Sequence, residues 1–178
     1  KIKLLILKAF NKEKYLKTVR LKDQELFRAH SRWYSSKKSL KLKKDYESEM
    51  GFQYDVVMIT RLDVGFFSEL EFEKYDMKYF YASHRNDAPK KSNAYKANYL
   101  NHDEGNTFLD LWFFSDSVNM DKFSLLYDYI ENYRVSPHDS SRQHVDAFIG
   151  KERVRYIMYR WFDHELIRRK LFESNDSD

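Results

Sequence analysis

Tyr54-Asp55-Val56-Val57-Met58-Ile59-Thr60-Arg61-Leu62-Asp63-Val64-Gly65-Phe66-Phe67 is an apolar, β-rich stretch that ends abruptly in an arginine and a carboxylate. Val56 to Ile59 are four apolar residues in succession, without a helical stripe and without alternation. A short run of this kind predicts a strand covered on both faces, as in a mostly parallel sheet. Polar chemistry begins where that strand stops. Ligands of open α/β sheets sit outside the carboxyl ends of the strands, so Thr60, Arg61 and Asp63 are expected on a ligand-binding loop. The same residues admit a second reading, in which Arg61 and Asp63 are a surface ion pair that closes a loop.

Upstream, Ser31-Arg32 precedes Trp33-Tyr34, and Leu40, Leu42, Tyr46 and Met50 recur in a lysine- and glutamate-rich background up to Gly51. This predicts an amphipathic helix capped by Gly51, which hands the chain through Phe52 to the central strand. Before it, residues 1–22 fit a strand or a helix equally well. Downstream, 68–77 alternates acidic and apolar residues, and Lys78-Tyr79-Phe80-Tyr81-Ala82-Ser83-His84 predicts another strand with polar residues at its end. Residues 85–105 are rich in Asn, Asp, Lys, Ser and His and predict a long loop. It reads as a lid or acceptor-binding loop, or as a disordered insertion. Phe108-Leu109-Asp110-Leu111-Trp112-Phe113-Phe114-Ser115-Asp116-Ser117 predicts a second apolar strand. Ser117 then caps a helix bearing Met120, Phe123, Tyr127 and Ile130, with Asp116 as a residue that helps it start. Asp139 and Ser140 cap a short helix carrying Val145, Phe148 and Ile149 and ended by Gly150. Residues 153–161 predict a strand, Asp163 caps a last helix with Leu166, Ile167 and Leu171, and 174–178 form a frayed tail.

The 178 residues fit one domain, and 42% hydrophobic with 17% aromatic content argues against disorder. The 14 Phe, 14 Tyr and 3 Trp supply buried area together with surfaces suited to stacking sugars or bases. The net charge of +4 comes from 32 basic and 28 acidic residues that are interleaved, so the surface is mixed rather than uniformly cationic. There is no cysteine, hence no disulfide framework and no thiolate nucleophile or ligand. No stretch reaches the length of a transmembrane helix, and Leu4-Leu5-Ile6-Leu7 is too short for a signal-peptide core. The expectation is a soluble, cytoplasmic protein. The chain begins at Lys1, which leaves open a processed start or a missing upstream part.

There is no glycine-rich phosphate loop, no serine-centred elbow and no zinc-protease histidine pair. With only four glycines, a phosphate is expected to be held by side chains or by a metal. The hard ligands on offer are Asp63, Asp110, Asp116, Asp146 and His144, and carboxylates favour Mg²⁺ or Mn²⁺.

Ser31-Arg32-Trp33-Tyr34-Ser35, Leu42-Lys43-Lys44-Asp45-Tyr46-Glu47, Tyr54-Asp55-Val56-Val57, Thr60-Arg61-Leu62-Asp63 and Leu111-Trp112-Phe113-Phe114-Ser115-Asp116 follow one another in this order. In that order the chain resembles the GT-A-type glycosyltransferases of large DNA viruses, phages and bacteria, over residues 23–170. The resemblance implies an α/β fold with a mostly parallel sheet flanked by helices, and transfer of a sugar from a nucleotide-diphosphate donor to a glycan acceptor. In such enzymes a strand ends in an Asp-any-Asp motif that holds a divalent metal on the donor diphosphate. Arg61-Leu62-Asp63 stands in that place, with Arg in the first position. The resemblance therefore gives Arg61, Asp63 and Thr60 to the donor, with Arg61 on phosphate and Asp63 on metal or sugar. It gives Trp112, His84 and Arg85 to the acceptor, Asp116 and then Asp110 to deprotonation of the acceptor hydroxyl, and Asp63, His144 and Asp146 to Mn²⁺ or Mg²⁺. Against these stand plainer roles: Trp112, Phe113 and Phe114 as core, Asp116 as a helix cap, and His144 and Asp146 as a solvated helix face. Phe162-Asp163-His164-Glu165-Leu166-Ile167-Arg168 also resembles this group, for structural reasons. The βαβ unit that opens a complete domain of this type is not found in residues 1–20, so that half lies upstream or the copy is reduced. Two other classes compete: a non-catalytic carbohydrate- or partner-binding domain of the same fold, and, more weakly, a basic nucleic-acid-binding domain. The partners expected are a nucleotide-sugar donor and a glycan acceptor, not nucleic acid.

Overall fold

Ala29, Trp33, Ser36, Leu40, Lys43 and Glu47 recur at steps of three and four, and this face of the first helix is the one that packs inward. The computed structural model describes the backbone of residues 12–84 and 107–167 and the side chains of 24–84 and 107–167. The helix, α1, spans Lys12–Met50. Its inner face differs from the expected one: Leu42, Tyr46 and Met50 are 71%, 47% and 57% exposed, while Ser36 and Glu47 are buried. Polar residues occupy the inner stripe because they are paired there. Glu47 accepts from Lys43 Nζ (2.9 Å), from Ser117 Oγ (2.7 Å) and from the Tyr54 N–H (2.8 Å), and Lys43 also reaches Asp121 (2.7 Å). As expected, Gly51 ends α1 at φ +69, with the N–H groups of Gly51 and Phe52 both on the Glu47 carbonyl.

Burial would raise the Glu47 carboxyl, but the Tyr54 N–H, the Ser117 hydroxyl and Lys43 outweigh it and hold the group below its ordinary 4.5. Its contribution to stability is therefore present above pH 4.5 and lost as pH falls through the lower native value. Glu47→Gln is expected to cost about 1–3 kcal/mol at neutral pH, because Lys43 then keeps fewer acceptors in a buried place. Urea unfolding at pH 7 checks this, and an unchanged midpoint would refute it.

Four strands form the main sheet: β1 (Val57–Thr60), β3 (Phe80–His84), β4 (Leu109–Ser115) and β5 (Val154–Tyr159), in the order β1-β4-β3-β5. β4 runs antiparallel to both β1 and β3, and β3 pairs parallel with β5. The fold is thus α/β with a mixed sheet, and the expected mostly parallel arrangement is corrected. β1, expected at the centre, lies at the edge; the interior strands are β4 and β3, and β4, the longer, is buried at all seven positions. Its sequence, Leu-Asp-Leu-Trp-Phe-Phe-Ser, is the more continuously apolar one, as a strand covered on both faces requires.

Side chains alternate between two cores. Val57, Ile59, Phe80, Ala82 and Phe113 face the helical layer of Trp33, Leu40, Met120, Phe123 and Leu126. Tyr81, Trp112 and Phe114 face the other layer, with Tyr75, Ile157 and Met158. That layer is closed by a second sheet of β2 (Val64–Phe66) and β6 (His164–Leu166), paired antiparallel. The helix expected after Asp163 is therefore a strand over His164–Leu166; Leu171 lies outside the described residues. Asp163 uses its carboxylate on the Tyr159 N–H (2.6 Å) and Ser68 Oγ (2.5 Å), which fixes the turn into β6.

Helix α2 (Ser117–Ser124) continues as a 3₁₀ segment, Leu125–Asn132, and buries Met120, Phe123, Leu126 and Ile130. Helix α3 (Pro137–Val145) begins with Pro at its first turn and runs into a π turn that ends at Gly150, φ +113. None of the described helices is long and apolar enough to cross a membrane.

Candidate functional site

β1, β3 and β5 share one direction, so their carboxyl ends and the start of β4 lie at the same edge of the sheet. Beyond β1 a cleft of about 590 Å³ is lined by Thr60, Arg61, Leu62 and Asp63 and, from α1, by Arg32, Ser35, Ser36 and Ser39. Thr60, Arg61 and Asp63 are thus brought together as expected. Arg61 donates from Nε to Asp63 Oδ1 (2.9 Å) and from Nη2 to Oδ2 (2.8 Å), a two-pronged pair that raises the guanidinium's affinity for its proton. Arg32 stands on the opposite wall. Burial lowers its pKa, Asp110 opposes this, and Arg61 adds to the lowering. Its Nη2 donates to the Asp110 carbonyl at 3.3 Å, its guanidinium lies over the Trp33 ring at 5.5 Å, and its buried Nε has no hydrogen-bond partner among the described residues.

Asp110 owes its position to an irregularity in β4. The register passes from Ala82 opposite Phe113 to Ser83 opposite Leu109, so residues 110–112 have no counterpart on β3. Here the Arg61 N–H donates to the Leu111 carbonyl, and Asp110 Oδ1 lies 3.1 Å from Nδ1 of His138 in the first turn of α3. Arg32 and His138 were not among the expected site residues. The signal for Arg32 was its spacing: Arg32, Ser35 and Ser39 form a polar stripe beside the buried one that holds Ser36. Nothing local marks His138, which is brought to Asp110 across 28 residues by the packing of α3.

Several expected roles are corrected by position. Asp116 is the N-cap of α2, accepting from the Asn119 N–H (2.7 Å), while Ser117, expected as the cap, bonds Glu47 instead. At the far end of β4, Asp116 is roughly 20 Å from Asp110, given the rise per residue of a strand. It cannot act at the cleft. Trp112 is fully buried between Phe114 and His164 and presents no face to a sugar. His84 is buried and stacked on Tyr159 at 4.0 Å. Arg85 and the predicted 85–105 loop lie outside the described residues, as do residues 1–11 and the 174–178 tail.

The expected metal set does not assemble. His144 is buried with both ring nitrogens engaged, Nε2 with the Lys122 carbonyl (2.9 Å) and Nδ1 with Tyr133 Oη (3.0 Å), and desolvation lowers its pKa. Asp146 pairs with Arg142 at 2.8 Å. Among the described residues no three His, Cys, Asp or Glu side chains form a group that could hold a metal ion. At the cleft, Asp63 offers one carboxylate whose two oxygens already face a guanidinium, where a divalent cation would sit. The residues present do not fit Mn²⁺ or Mg²⁺ there.

Compared with known proteins, the chain matches no family model, no curated protein and no solved structure.

Proposed function

We propose that this chain is a glycosyltransferase domain that takes a nucleotide-diphosphate sugar as donor and a glycan hydroxyl as acceptor. The observation that carries the reading is the pair Arg61–Asp63 at the carboxyl end of β1, opening on a cleft whose other wall holds Arg32. A leaving diphosphate needs fixed positive charge close to it, and two guanidinium groups in a partly buried cleft supply that. Hydroxyls of Ser35, Ser39 and Thr60 line the same space and suit a ribose or sugar. The proton of the acceptor hydroxyl goes to the Asp110–His138 pair, in which His138 Nδ1 accepts from the Asp110 N–H at 3.3 Å and lies 3.1 Å from the carboxylate, so that proton uptake leaves an ion pair. Asp116, spent on its helix, takes no part.

Calorimetric titration with UDP-, GDP- and CDP-sugars, followed by assay of sugar release to water or to oligosaccharides, tests this. One donor is expected to bind and turn over. Arg61→Ala is expected to weaken its binding about tenfold or more, and His138→Gln to slow turnover about a hundredfold with little change in binding. Absence of donor binding and turnover across the panel would overturn the reading and leave a binding domain without transferase activity.

A further inference from the structure

The cleft contains two cations in different states. Arg61 is occupied, its Nε and Nη2 both spanned by Asp63. Arg32 is only partly used: its guanidinium lies over the Trp33 ring at 5.5 Å, feels the Asp110 charge and makes one hydrogen bond of 3.3 Å to a backbone carbonyl, while its buried Nε has no acceptor among the described residues. A buried N–H donor without an acceptor loses hydration without a hydrogen bond to replace it, and such groups call for an explanation. An anion in the cleft provides one. The site is also close to electroneutral as it stands, Arg32 and Arg61 being offset by Asp63 and Asp110, so an incoming anion competes with Asp63 for the Arg61 fork.

We infer that Arg32 and Arg61 form a diphosphate clamp that works without a divalent metal, and that Asp63 is the clamp's internal competitor rather than a metal ligand. The inference rests on reading this cleft as the donor site. When a diphosphate enters, Arg61 transfers its two N–H donors from Asp63 to a phosphate oxygen pair, and Arg32 Nε gains the acceptor it lacks. The planar fork suits bidentate capture of phosphate as well as of carboxylate, which is why the exchange keeps its geometry. Asp63 then has a double effect in the empty protein: it holds Arg61 in place over the cleft and lowers the affinity for anions. This is the reverse of what an Asp-any-Asp metal motif would do, where losing the carboxylate loses the ligand.

Titration of the full chain with inorganic pyrophosphate, orthophosphate and UDP in the presence of EDTA decides the matter. Wild-type protein is expected to bind pyrophosphate in EDTA, and Arg32→Ala and Arg61→Ala each to weaken it about tenfold or more. Asp63→Asn is expected to tighten pyrophosphate binding about tenfold, by freeing the fork and removing a like charge. Asp63→Ser gives the same sign without an amide in place of the carboxylate, and thermal melts confirm that each variant is folded. Tighter binding of UDP than of pyrophosphate would assign the clamp to nucleotide-borne diphosphate; equal binding would assign it to the diphosphate group alone. Pyrophosphate binding that appears only on adding Mn²⁺ or Mg²⁺ and disappears in Asp63→Asn would overturn the inference while leaving a glycosyltransferase intact. No binding by wild type or by either Asp63 variant would overturn it as well. A clamp that behaves as expected in a protein that turns over no nucleotide sugar would instead remove the transferase reading alone.

Discussion

Replacing Trp33 with alanine is expected to lower folding stability by about 3–5 kcal/mol, the range for truncating a large aromatic in a packed core. The indole is 1% exposed and sits edge-on to Phe123 at 5.7 Å and beside Phe113 at 6.4 Å, so it fills the space between α1 and the helical face of the sheet. Its Nε1 also donates to Ser140 Oγ at 3.0 Å, which ties α1 to α3. Domains of this size are stable by only about 5–15 kcal/mol, so this one change removes a large share of the margin. Trp33→Phe separates the two contributions. It keeps most of the apolar volume and loses the bond, and is expected to cost about 1–2 kcal/mol. Urea denaturation of the three proteins checks the order. A loss below about 1 kcal/mol for the alanine variant would mean that α1 is held chiefly by its polar network, through Glu47 and Lys43, and not by this ring.

That alternative is worth posing because α1 is where sequence reasoning misled. Leu42, Tyr46 and Met50 looked like the core face on hydrophobicity alone, yet the helix turns them to solvent and buries Ser36 and Glu47. Periodicity identifies a helix and its Gly51 stop, but it picks the wrong face when the inner stripe is polar and internally paired. The strands show the same division. β3 and β4 were legible as apolar runs, and Asp116 was already suspected as a helix starter. What no local pattern carries is strand order: Val56–Ile59 and the β4 run look alike, and only pairing decides that β1 is the edge and β4 a reversed interior strand. β6 was lost for a related reason. Three residues, His164–Leu166, are too few for periodicity to tell strand from helix, and it is β2 that makes them a strand.

The candidate site was half legible by the same logic. Thr60, Arg61 and Asp63 are adjacent in sequence, so a polar cluster after an apolar strand exposes them. Arg32, Asp110 and His138 come from three separate elements and meet only because β4 carries three residues near its start with no counterpart on β3 and α3 begins beside it. The acceptor-side and metal assignments failed because they asked Trp112, Asp116 and His144 to be exposed. Each is instead occupied by packing or by a hydrogen bond to a neighbouring helix or backbone group, uses that an isolated residue type does not announce.

His164 leads to the other large effect, a loss of stability in mild acid. The imidazole is fully buried beside Phe66 and Trp112, its Nε2 lies 2.6 Å from Ser83 Oγ, and its Nδ1 has no hydrogen-bond partner among the described residues. Desolvation dominates, Asp163 opposes it and Arg160 reinforces it, and the pKa is pushed down to about 4 from 6.5. The unfolded chain therefore takes up a proton near pH 6.5 that the native state refuses until about pH 4. Protons bind preferentially to the unfolded state in that window, so the stability is fully present above the upper value and declines as pH falls towards the lower one. At 1.36 kcal/mol per unit the loss attributable to His164 is about 3 kcal/mol. His144, also lowered by burial, adds in the same direction, whereas Glu47 contributes its loss only at lower pH. His164→Gln keeps a polar group opposite Ser83 but cannot take up the proton. It is expected to be less stable than wild type at pH 7.5 and to show a shallower decline between pH 6.5 and 4.5. Urea midpoints measured across that range give the two slopes. Equal slopes in the two proteins would show that the ring takes up its proton at the same pH in the native state as in the unfolded chain, and that the acid sensitivity of the fold lies elsewhere.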